Sequence, residues 1–496
     1  MRRSYSSRRK RRNRKKRNSF SMRRRNMGLM PVIILSALLV VVLILIIILV
    51  FFNPFKKKED PPEINVNESK IEVINESAQP AETTAPAQAD DAAQTAIAKA
   101  RRAAAMYDYD AALEMIAAIP DYAANPDCIS LTAEIGDTKA RLIKWSDNTK
   151  ISHLRFHTLI ADTALAFDGD QRAASYAKTT VTVTEFKNII QKLYEKGFVL
   201  VGMHDIAELE TAADGSAAMK QKAILLPAGK TPIVISQDDL NYYRVTAADG
   251  FATKLVLEGG KIKCEMNGRE PGDYDIVPIL DAFIEEHPDF SYHGSKGVLA
   301  VTGYEGVFGY RTSDTHFGPD CAANDPLYAV PNANIEEDKK KAAEVAGALK
   351  AEGWEIAMHG WNHASFGSAR TYESLTADVE LWKKEVEPIV GKTDILIYPT
   401  GEDIGSFRLY TDAERQTELT LTKYEYLKNS GFNYFCNIDA STPYWVQISG
   451  SYLRQGRLNV DGRMFKEILS GQKNRLEHLL SNEEIRAIVD PIRPAA

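Results

Sequence analysis

Two short stretches, far apart in the chain, carry residue types that can bind a divalent metal and activate water. They are Ile233-Val234-Ile235-Ser236-Gln237-Asp238-Asp239 and Ile356-Ala357-Met358-His359-Gly360-Trp361-Asn362-His363. Each follows an apolar run of strand type. Together they offer two histidines and a carboxylate to one metal, with a second carboxylate beside it. Three N/O ligands leave a position open for water. The metal lowers that water's pKa and a neighbouring carboxylate takes its proton. The histidines are four apart, but Gly360 and Asn362 favour a loop over a helix, and the H-E-x-x-H pattern of helical zinc sites is absent. A third element, Ile397-Tyr398-Pro399-Thr400-Gly401, also sits at a strand end.

The elements that must position these residues alternate. Candidate strands cover 154–160, 198–201, 233–236, 298–302, 355–358, 395–398, 432–437 and 452–457, and candidate helices cover 184–196, 276–286, 335–351, 374–390 and 423–429. Gly197, Gly353 and Gly431 each end a helix and lead into a strand. Such alternation implies parallel strands with helical crossovers. The expected fold is α/β, an irregular (β/α)7-8 barrel, in which active residues gather at the C-terminal strand ends. Asp238, Asp239, His359 and Pro399 all fall there. Residues 251–257 and 261–265 read as a hairpin beside the active face.

The segment 151–437 resembles the NodB-homology polysaccharide deacetylases, the fourth carbohydrate esterase family. Ser236-Gln237-Asp238-Asp239 is similar to the family's T-F-D-D, His359-Gly360-Trp361-Asn362-His363 to its H-[S/T]-x-x-x-H in relaxed form, and Ile397-Tyr398-Pro399-Thr400-Gly401 to its R-x-P-Y-G. The resemblance implies removal of N- or O-acetyl groups from an extracellular or cell-wall carbohydrate polymer. It implies Asp238 as general base and Asp239, His359 and His363 as ligands of a divalent metal, most readily Zn2+. The backbone N–H of Thr400 falls where an oxyanion donor belongs, and Trp361, Tyr398 and Pro399 where the substrate is bound. Ile397 replaces the motif's arginine, leaving no evident partner for Asp238. The family's late histidine has no counterpart: His478 is the last histidine after His363, in unlike surroundings. Asp439 and Trp445 lie near the fourth motif's position. His157 is placed to reach the barrel mouth from the first strand. The alternative is a catalytically impaired barrel that binds glycan or a cell-envelope partner.

Charge and hydropathy divide the rest. The first 25 of 496 residues carry 14 Lys/Arg and no acid, and Lys56, Lys57 and Lys58 follow. Removing those 17 charges from the overall −6 leaves −23 from Glu59 onward, which argues against a nucleic-acid partner. Residues 29–52 are uncharged and Ile/Leu/Val-rich, about 36 Å as a helix. The expectation is a basic cytoplasmic tail (1–28), a transmembrane helix (29–52), a disordered linker (53–91), a helical hairpin (92–145) and the barrel domain (146–496). The positive flank places the N-terminus in the cytoplasm and the catalytic domain outside, as a single-pass membrane protein. Four scattered cysteines make no framework; Cys264–Cys321 is the easiest bridge, and buried thiols are the alternative.

Overall fold

The computed structural model describes residues 85–324, 330–367, 370–405 and 418–494. Nine strands build the central sheet: β1 (Ser152–Phe156), β2 (Phe198–Leu200), β3 (Thr231–Gln237), β4 (Gly297–Val301), β5 (Trp354–Met358), β6 (Ile395–Ile397), β7 (Tyr434–Ile438), β8 (Val446–Ser449) and β9 (Tyr452–Asn459). Seven of them close a parallel barrel in the order β3-β4-β5-β6-β7-β9-β1, with β1 returning to β3. β2 and β8 stand outside the ring. One edge of β3 pairs with β1 along Ile233–Gln237, while its other edge pairs with β2 over Thr231–Ile233 and with β4 at Ser236 and Gln237. β2 is thus a wedge at the N-terminal pole, and closure is made at the C-terminal end. β8 adds antiparallel to β9.

Strand periodicity decides what faces where. On β3, Ile233 and Ile235 join the apolar layer between barrel and helices, whereas Val234 joins the lumen cluster. The same alternation puts Ser236 and Asp238 on the luminal side. On β1, Leu154 and Phe156 pack outward, leaving His153 and Arg155 inward. The helices that cover the barrel are amphipathic for the same reason: Val183–Glu195 buries Phe186, Ile189, Ile190 and Leu193 at helical spacing and is opened by a Thr182/Glu185 capping box.

Every expected strand is present. The expected helix 374–390 is broken instead into Tyr372–Glu385 and Glu387–Val390, because Pro388 cannot continue the backbone ladder. The expected hairpin is Lys254–Glu258 with Lys261–Met266, joined by a third strand, Arg269–Gly272. Ahead of the barrel lie three helices, α1 (Ala85–Ala105), α2 (Tyr109–Ala117) and α3 (Pro126–Lys139). They dock on the barrel's N-terminal pole: Tyr107 stacks on Tyr292 and donates its hydroxyl to the Asp289 carbonyl at 2.7 Å. One apolar cluster runs from Ile97 and Ala100 through Tyr107 to the luminal Val199, Val234 and Val298.

Two further sequence expectations change. All four cysteines are buried and free, so Cys264 and Cys321 are not bridged. The single-pass localisation is corrected: among the described residues no helix is long and apolar enough to cross a membrane. α1 has the length, but Asp90, Asp91, Lys99, Arg101 and Arg102 make it far too polar. The stretch 29–52 lies outside the described residues, as do the tail 1–28 and most of the linker.

Candidate metal centre

Asp239, His359 and His363 converge at the C-terminal mouth of the barrel, with one ligand atom from each within 4.8 Å of the others. Asp239 follows β3 and His359 follows β5, so strand pairing through β4 brings together residues 120 positions apart in sequence. His359 is fully buried, and its Nδ1–H donates to the Ile397 carbonyl at 2.8 Å. That bond fixes the tautomer and turns the Nε2 lone pair toward the site. Burial lowers the His359 pKa despite the nearby Asp238 and Asp239, which keeps the ring neutral. The Nε2 atoms of both His359 and His363 are buried without a hydrogen-bond partner. The His363 Nε2 lies 3.7 Å from Asp239 Oδ1. Two orphaned imidazole nitrogens facing one carboxylate fit a divalent ion.

The backbone around these ligands is unusual. Asp239, His363 and Thr400 all have positive φ, at 57°, 54° and 61°, a region costly for residues with a Cβ. Gly360 has φ +69, and a Cβ there would come within 3.0 Å of Pro399 and 3.1 Å of Asp378. The loop is held from behind by Asp378 of the helix Tyr372–Glu385, which accepts from the Trp361 N–H at 2.7 Å and the Asn362 N–H at 3.2 Å. Asp239 accepts from the Tyr243 hydroxyl at 3.0 Å. Asn241 ties the same loop to the end of β4, donating to the Thr302 carbonyl at 2.7 Å and accepting the Thr302 N–H at 3.1 Å.

Asp238 sits beside this trio and is fully buried. Its Oδ1 accepts from Arg457 Nη1 at 2.6 Å; its Oδ2 accepts from Arg155 Nε at 2.5 Å and from Arg457 Nη2 at 3.1 Å. His359 Nε2 is 3.7 Å from Oδ2. Burial alone would raise the Asp238 pKa, but the Arg457 and Arg155 guanidinium groups override it and hold the carboxyl well below the usual range. The reading that Ile397 leaves Asp238 without a partner is therefore corrected: Arg155 from the neighbouring strand β1 and Arg457 from β9, one strand further round the ring, grip it. Their sequence signal was an arginine at an inward-facing strand position, where a charge is rarely buried unless paired.

The remaining sequence candidates are placed as follows. Trp361 is buried at 7% exposure, and its indole N–H donates to Glu385 at 2.9 Å. Tyr398 is also buried, and Pro399 packs against Gly360. These three form the wall behind the loop, with no open ring face for stacking. Thr400 is exposed, at the left-handed position of the short turn after β6. Gln237 faces outward and donates to the buried Asp275 at 2.6 Å. His478 lies at the opposite pole, 2.8 Å from the Ser152 hydroxyl at the start of β1. Trp445 lies under Arg454, 5.2 Å from its guanidinium. A cavity of about 680 Å³ at that pole is lined by Lys261, Lys296, Asp281 and Glu285 among others. Lys261 pairs with Glu285, and Lys296 with Asp281, and the metal centre is remote from it.

No family model and no curated protein matches the chain. Among solved structures, the Streptococcus pyogenes deacetylase PplD in complex with acetate is similar at 14% identity and a TM-score of 0.31, covering 71% of this chain and 100% of that one. A likeness of that size is too loose to argue from.

Proposed function

We propose that this chain is a metal-dependent hydrolase that removes acetyl groups from a carbohydrate polymer. The observation that carries the proposal is the juxtaposition of the Asp239, His359 and His363 ligand atoms with the buried, oriented carboxylate of Asp238. The motif resemblance supplies the acetylated sugar as substrate. Asp239, His359 and His363 would hold the ion, and their mixed N/O donor set suits Zn2+. Bound there, the ion supplies Lewis acidity toward the acetyl carbonyl and lowers the pKa of water.

The protein's own residues do the rest. Asp238 accepts the proton of the attacking water, and Arg457 and Arg155 keep its oxygens aimed. The Thr400 backbone N–H donates to the carbonyl oxygen as charge develops on it. Trp361, Tyr398 and Pro399 back the loop that carries His359 and His363 and keep it in place. The test is acetate release by the purified full chain from acetylated glycans and from a small chromogenic acetate ester, with zinc added or chelated. Zinc-dependent release that disappears in Asp238→Ala and His359→Ala supports the proposal. No release from any acetyl donor, with one metal tightly bound, sinks it in favour of a glycan-binding barrel.

A further inference from the structure

His157, the residue after β1, bonds to the Asp238 clamp through Arg155. Its position invites the role of proton donor to the leaving group. Its hydrogen bonds point elsewhere. The Nε2 atom lies 2.7 Å from Arg155 Nη2, and Nδ1 lies 3.1 Å from the Thr179 carbonyl oxygen. A guanidinium only donates and a carbonyl only accepts. Nδ1 therefore carries the hydrogen, and Nε2 is an acceptor filled by arginine. Burial, followed by the Arg155 charge, lowers the His157 pKa to about 4 against the pull of Asp239 and Asp238.

Arg155 is in turn fixed on three sides. Nε donates to Asp238 at 2.5 Å, Nη1 to Asn459 Oδ1 at 3.1 Å, and Nη2 to His157. The chain of contacts runs from the Thr179 carbonyl through the imidazole and the guanidinium to the carboxylate. Truncating His157 frees one corner of the guanidinium and lets it swing in the plane that sets the direction of Asp238 Oδ2. We propose that His157 is a positioning residue that acts through Arg155 to orient Asp238, and is not the proton donor of the reaction. The inference rests on the proposed role of Asp238.

The experiment compares His157→Leu with His157→Gln in the zinc-loaded full chain. Glutamine keeps an acceptor for Arg155 and a donor for the Thr179 carbonyl, but has no transferable proton. His157→Leu should lower kcat about 10²-fold, the scale of a displaced catalytic group, with KM and zinc stoichiometry unchanged. His157→Gln should recover most of that loss. Equal losses in the two variants, with a missing limb in the pH profile of kcat, overturn the proposal in favour of a proton donor. A substrate-free readout separates this from the function itself: the Arg155 Nε–H resonance, shifted by its bond to Asp238, should move in His157→Leu and be restored in His157→Gln. A resonance unmoved in both variants also overturns it. If the parent enzyme releases no acetate while the resonance behaves as expected, the proposed function fails and the positioning stands.

Discussion

Asp238 is gripped by two arginines while its neighbour Asp239 is left to face two bare imidazole nitrogens. Adjacent carboxylates are thereby given different surroundings: Asp238 by the strands beside β3, Asp239 by the loop after β5. Metal and base roles should separate by mutation. His359→Ala or His363→Ala should abolish stoichiometric zinc binding, read by metal analysis after dialysis. Asp238→Asn should keep the metal and lose acetate release by roughly 10²–10⁴-fold; loss of metal in that variant would assign Asp238 to the ligand set instead. The clamp also bears on stability. Arg457 and Asp238 are both fully buried, so Arg457→Met leaves part of a buried charge uncompensated and should cost about 3–5 kcal/mol in denaturant unfolding. A cost below about 1 kcal/mol would mean that Arg155 alone suffices. The candidate ligands Asp239, His359 and His363 were legible in the sequence because they cluster in short motifs. Arg155 and Arg457 were not, since 302 positions separate them and no local pattern says which strands become neighbours in the ring.

At the scale of elements, the mouth is assembled from loops whose conformations are strained and then braced. The loop after β5 must turn at Gly360, pass beneath Pro399 and present His363 with φ +54. Asp378 supplies the brace by accepting two successive backbone N–H groups. Gly360→Ala places a Cβ against both Pro399 and Asp378 in a left-handed conformation. It should destabilise the fold by about 1–3 kcal/mol and weaken zinc affinity more than a matched substitution elsewhere on the surface, checked by thermal unfolding and competitive metal titration. Unchanged affinity would show that the loop can present His363 without this turn. The strands and Gly-capped helices were readable from period and punctuation. The bracing helix was readable as a helix, but Asp378 was not singled out, because one acid on a helix face gives no hint of the loop it will hold. The outlying β2 and β8 were equally illegible in their placement: closure of the ring depends on how β3 shares one edge between two neighbours, which is a property of the assembled sheet.

At the scale of the whole molecule, the candidate site lies at one pole of the barrel and the helical region packs on the opposite pole. Tyr107 of the N-terminal helical region reaches Tyr292 and Asp289 there, and an ionic tie joins the strand entries nearby. His204 lies between Glu355, at the start of β5, and Asp394, just before β6, with contacts of 2.6 and 3.0 Å. Glu355 also accepts from the Met203 and His204 backbone N–H groups. Burial pushes the His204 pKa down, but the bonds to Asp394 and Glu355 prevail and raise it to about 10. An unfolded chain has the ordinary value of about 6.5. The folded state therefore binds the proton more tightly, and the tie contributes its full stabilisation below about pH 6.5, losing it as pH rises through about 10. The ring is 47% exposed, so solvent and salt screen part of the effect. The difference in melting temperature between the parent protein and His204→Gln should be largest near pH 6 and shrink steadily toward pH 10, more so at low salt. A difference that stays flat or widens over that range would show that the imidazole ties the pole as a neutral hydrogen-bonding group and not as a cation.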